Sequence, residues 1–121
     1  MAFMFEQLEV YQKAVSFADQ VAALGEAFPR GYRFLADQLN RAALSIPANI
    51  AEGNGRFTKA DPVNFFTIAR GSVQECVPLL EVARQRALVG DAQAQGLRAQ
   101  LEVIAKMLSG LIAGVEKRQT P

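Results

Sequence analysis

Residues 32–54 read YRFLADQLNRAALSIPANIAEGN, and within them Leu35, Leu39, Ala42, Ile46 and Ile50 recur at steps of three and four. That spacing puts all five on one face of an α-helix. Pro47 interrupts the run. A proline inside a helix removes one backbone N–H and costs about 3 kcal/mol, yet the apolar stripe continues to Ile50. The spacing therefore predicts one helix kinked near Pro47 over about 32–53, with Gly53, Asn54 and Gly55 marking the following turn.

The flanking segments carry the same period. Leu8, Tyr11, Val15, Ala18 and Ala22, widened by Ala14 and Val21, predict a helix over about 7–24 that Gly25 ends. Phe28-Pro29-Arg30-Gly31 is a short connection. A third helix is expected over about 60–88, opened by a Thr58/Asp61 capping pair or by Pro62 at its first position. Its core face would hold Phe65, Ala69, Ser72, Cys76, Leu79, Leu80 and Ala83, with Pro78 as a second kink and Gly90 after its end. Leu97, Leu101, Ile104, Leu108, Leu111 and Val115 form a coiled-coil-like seam in a fourth helix over about 91–116. Four amphipathic helices with short connections predict an all-α chain, a single antiparallel up-down-up-down four-helix bundle over 1–121.

Composition narrows the chemistry. The 121 residues include no histidine and one cysteine, Cys76. Ser45, Ser72 and Cys76 thus lack the usual base for a nucleophile, and the common zinc ligand sets are missing. Cys76 falls on an apolar face and reads as a buried structural thiol. Gly53 and Gly55 follow no strand and precede no Gly-Lys-Ser/Thr, so they form no phosphate loop. No catalytic residue, metal or cofactor is expected. No charged and apolar leader opens the chain and no apolar run is membrane-length, which predicts a cytoplasmic protein without membrane partners.

The formal charge is +1, but residues 30–70 alone carry net +3. Arg30, Arg33, Arg41, Arg56, Lys59 and Arg70 are accordingly the candidate contacts for RNA or DNA. A second pattern lies on the kinked helix: Gln38, Arg41, Ser45, Asn49 and Glu52 fall within an arc of about 80°, flanking the apolar stripe. This polar edge is either a solvated flank or a directional hydrogen-bonding surface, between helices or between subunits. The third helix could supply Asn64, Ser72 and Glu75 as partners. Gly110 and Gly114 suit a close approach of another backbone, or helix-end fraying for Gly114.

Several of these residues sit in longer motifs: LEVYQKA (8–14), Phe28-Pro29, Gln38-Leu39, Arg41-Ala42-Ala43, SIPANIAEG (45–53), Gly55-Arg56, Phe65-Phe66, IARGS (68–72) and Glu75. Together they resemble the bacterial four-helix-bundle proteins encoded in intervening sequences of 23S rRNA genes, a family related to the accessory proteins of diversity-generating retroelements. The resemblance implies a homopentameric, non-enzymatic interaction or scaffold protein. In the retroelement relatives the pentamer binds nucleic acid and a reverse transcriptase through a strongly basic surface. It also assigns Gln38, Arg41, Ser45, Pro47, Asn49, Glu52, Gly53, Ser72 and Glu75 to a structural or interface signature, so the partners expected are further copies of the chain, and RNA, DNA or another protein.

Overall fold

The computed structural model describes residues 3–55 and 60–119. Four α-helices carry the chain: α1 (Glu9–Glu26), α2 (Arg33–Asn54), α3 (Ala60–Gln85) and α4 (Asp91–Gln119). Short 3-10 turns at Met4–Gln7 and Arg30–Tyr32 precede α1 and α2, and no strand occurs among the described residues. Each helix packs on the next and α4 closes back on α1, which makes an antiparallel four-helix bundle with α2/α3 on the side opposite α1/α4. Both Pro47 and Pro78 lie inside unbroken helices, so the expected continuity of α2 and α3 holds.

The α2 stripe is buried in full, Leu39, Ile46 and Ile50 at 0% exposure. The α4 seam is buried from Leu97 to Leu108 and again at Val115, with Leu111 half-buried. For α1 the expected phase needs correction. Val10, Ala14, Phe17, Val21 and Leu24 face the core, whereas Val15 and Ala22 are exposed and Leu8 and Tyr11 are half-buried. Two apolar phases coexist in this helix, and the one that buries the larger side chains, Val10, Phe17 and Leu24 at intervals of seven, is the one used. On α3, Phe66 and Val73 join the core, while Phe65 and Leu79 are only half-buried.

Helix ends also depart from expectation. Gly25 lies inside α1, which continues to Glu26. There the Arg33 guanidinium donates to the Gly25 carbonyl at 3.1 Å, placing a cation at the negative end of the helix. Helix α3 stops at Gln85, short of the expected Leu88. Leu88 N–H reaches the Ala83 carbonyl (2.9 Å) and Ala87 N–H the Arg84 carbonyl (3.0 Å), with Ala87 left-handed at φ 60°. This is a Schellman closure built on alanine in place of glycine. The expected Thr58/Asp61 cap lies outside the described residues.

Candidate interaction face

The polar edge of α2 meets α3 at one point. Ser45 and Ser72 bring their hydroxyl oxygens to 2.8 Å, and Ser72 is 8% exposed. Asn49, one turn beyond Ser45, donates through Nδ2 to the Ser45 carbonyl at 2.8 Å and to Ser45 Oγ at 3.0 Å. Ser72 Oγ also lies 3.2 Å from the Ile68 carbonyl. One proton arrangement satisfies the whole chain: Asn49 donates to Ser45 Oγ, Ser45 to Ser72 Oγ, and Ser72 to the Ile68 carbonyl. No described buried side-chain nitrogen or oxygen is left without a partner. A fully satisfied polar contact between two helices has a preferred register, because a slip would strand its donors.

Other members of the edge turn outward. Gln38 and Arg41 are exposed and form no hydrogen bond or ion pair among the described residues, and Glu52 is exposed as well. On α3 Asn64 and Glu75 are exposed, so Ser72 alone of the three expected partners engages the α2 edge. On α3, Ile68 and Val82 lie in the same outward row as Glu75 and are 43% and 47% exposed. Burial pushes the Cys76 thiol up to about 12, with the charge of neighbouring Glu75 adding to the shift. A thiol with so little thiolate is a poor nucleophile.

Pro47 and Gly53, the remaining signature residues, are both buried. Gly53 is not a turn residue, as its sequence neighbours implied. It lies within α2, and a Cβ there would stand 2.8 Å from Phe66 Cε1 and 3.1 Å from Phe65 Cβ. Its missing side chain lets α3 approach the end of α2. Gly110 and Gly114 have nothing within 4 Å of an added Cβ, so no described residue makes the close approach expected there.

The candidate nucleic-acid contacts are dispersed. Arg30 lies in the turn between α1 and α2, and Arg33 is held by Asp37 (3.6 Å) as well as by the Gly25 carbonyl. Arg41 is on the α2 edge, while Arg70 reaches across to α4 and donates to Ser109 Oγ at 3.1 Å. Arg56 and Lys59 lie outside the described residues. No helix among the described residues is long and apolar enough to cross a membrane.

The family model for the 23S rRNA-intervening sequence protein matches residues 6–110. The chain belongs to this family. Among solved structures, this intervening-sequence protein is similar to a protein of unknown function from the S23 ribosomal protein family of Bacteroides thetaiotaomicron. The two share 25% identity with a TM-score of 0.79, over 85% of this chain and 97% of the other. No functionally curated protein matches the chain. The matched region contains the whole SIPANIAEG and IARGS blocks, and thus the Ser45–Asn49–Ser72 contact.

Proposed function

We propose that this protein is a non-enzymatic interaction or scaffold protein of the cytoplasm that works as a homo-oligomer, a pentamer. The outward α2/α3 face carries the reading: Gln38, Arg41 and Glu75 stand exposed without a hydrogen-bond or ion-pair partner among the described residues, beside exposed Ile68 and Val82. A surface that mixes large apolar side chains with unpaired polar ones has the make-up of a protein–protein interface. Light scattering on the purified protein tests this. A mass near five times the 13.2 kDa of the chain is expected, and a monomer at micromolar concentration would refute it.

A second reading is an accessory role on RNA or DNA, including the kinship with retroelement accessory proteins that the sequence motifs imply. Exposed Arg41, which forms no ion pair with a described residue, favours it. Filter binding to a structured RNA should then give an affinity that falls steeply with salt. Absence of binding at low salt would remove this reading and leave the first intact.

A further inference from the structure

The connection from α1 to α2 reads Phe28-Pro29-Arg30-Gly31-Tyr32-Arg33-Phe34, aromatic rings interleaved with arginines. Phe28 is buried in the core. The other rings gather at the end of the bundle where α1 and α3 finish and α2 begins. Tyr32 and Phe34 hold their ring centroids 6.3 Å apart at an interplanar angle of 35°. From beyond the end of α3, the Arg86 guanidinium lies over the Tyr32 ring, 5.9 Å from its centroid. Guanidinium, phenol and phenyl ring thus form one continuous run, within the distances at which cation–π and aromatic pairs attract. Its outer member, Phe34, is 61% exposed, and the core of α2 does without it, because Leu35, Ala36 and Leu39 carry the burial there.

This run is fixed by its own backbone. Tyr32 N–H closes the 3-10 turn on the Pro29 carbonyl at 2.9 Å, and Arg33 ties the first turn of α2 to the Gly25 carbonyl of α1. The charges around it divide into paired and unpaired. Arg33 is paired with Asp37, and Arg84 with Glu81 and Asp91. Exposed Arg30, Arg86 and Glu26 form no ion pair with a described residue, which leaves two cations against one carboxylate. A preorganised aromatic platform with an open face and a small cationic excess suits a planar partner that carries an anion. An unstacked nucleotide is such a partner. A duplex keeps its base faces inside the stack and offers none to Phe34.

We propose that the Arg86–Tyr32–Phe34 run is a stacking site for single-stranded nucleic acid, with a base laid on Phe34 and the flanking phosphates met by Arg30 and Arg86. The inference rests on the nucleic-acid reading above and deepens it to a named site that takes unpaired bases. With two cations at the site, phosphate contacts are few. The logarithmic salt slope for a short strand should be about −1.4, from roughly −0.7 per contact. Stacking supplies the rest of the affinity and tolerates any base.

Fluorescence anisotropy at low salt tests this, with a labelled oligouridylate of about eight nucleotides and a duplex of equal length. The single strand should bind, and the duplex about ten-fold more weakly or less. Phe34→Ala, at an exposed site, should leave helical circular dichroism unchanged and weaken single-strand binding about ten-fold. Phe34→Trp should retain binding. The chain contains no tryptophan, so the introduced indole reports on the site alone, and the oligonucleotide should quench its fluorescence. Arg30→Gln and Arg86→Gln should each make the salt slope shallower by about 0.7. Single-strand binding that Phe34→Ala leaves unchanged, or a duplex bound as tightly as the single strand, would overturn the inference and leave the nucleic-acid reading standing. Binding of structured RNA without any binding of oligouridylate would do the same, whereas absence of both would remove both. Preference for an oligoproline peptide, which aromatic grooves also accept, would overturn it in favour of a protein partner.

Discussion

Substituting Gly53 by alanine should destabilise the fold, although the same change at another helical glycine should stabilise it. The added Cβ would stand 2.8 Å and 3.0 Å from Phe66 Cε1 and Cδ1, at least 0.4 Å short of the 3.4 Å at which ordinary contact begins. Phe66 is 3% exposed and cannot swing into solvent. Overpacking of this kind costs about 1–3 kcal/mol, offset by the roughly 0.5–1 kcal/mol by which alanine outperforms glycine in a helix. The net expectation is a loss of about 1 kcal/mol, roughly 3–6 °C in midpoint for a domain of this size. Gly96, within α4, has nothing within 4 Å of an added Cβ, so Gly96→Ala should gain about 0.5–1 kcal/mol. Urea unfolding at one fixed protein concentration measures both. In a Phe66→Leu background, where the ring edge is gone, Gly53→Ala should become neutral or stabilising. If Gly53→Ala and Gly96→Ala move stability in the same direction, Gly53 is not a close-approach residue.

Three further perturbations follow from the geometry. Ser72→Ala should cost about 1 kcal/mol in denaturant unfolding, and Ser45→Ala less, because without Ser45 Oγ the Ser72 hydroxyl still has the Ile68 carbonyl and Asn49 the carbonyl of residue 45. The reverse order would show that the proton chain runs the other way. Ala87→Gly should raise the thermal midpoint by about 0.5–1 kcal/mol equivalent, since it relieves a left-handed alanine at the end of α3; no gain would mean that this turn relaxes in solution. Glu81 accepts two hydrogen bonds from Arg84 and one from Gln85, which hold its carboxyl at about 2 against an ordinary 4.5. A lowered folded-state value means that the contribution is complete above pH 4.5 and is lost as pH falls toward 2. Both partners are partly exposed, so the effect should be small and screened by salt. An acid-unfolding limb that Glu81→Gln leaves unchanged at low ionic strength would count against the pairing.

How much of this could be read from residue order varies by element. In α2 and α4 the residues at helical spacing form the stripe that is buried, while apolar Leu44 and Val103 fall off it and are exposed. In α1, Tyr11, Val15 and Ala22 offer a second phase close to that of Val10, Phe17 and Leu24. The choice between them depends on which side chains the other helices can enclose, a property of the assembled bundle. Gly53 shows the same limit. Next to Asn54 and Gly55 it has the local signature of a turn, but what requires glycine is the ring of Phe66, thirteen positions further on.

The polar edge marks the boundary between direction and partnership. A helical wheel places Gln38, Arg41, Ser45, Asn49 and Glu52 side by side, and the structure separates them by what stands opposite. Ser45 meets Ser72 because α3 passes at that height, and Asn49 bonds to Ser45, whereas Gln38 and Arg41 are exposed. A period of 3.6 residues encodes the azimuth of a side chain and says nothing about the neighbouring helix. The divided edge therefore does two jobs along one row. Its inner members give α2 and α3 a preferred register, since sliding α3 by one turn would separate Ser72 from Ser45 and leave a buried hydroxyl to find another partner. Two outer members, Gln38 and Arg41, form no hydrogen bond with a described residue and keep that capacity for a second molecule.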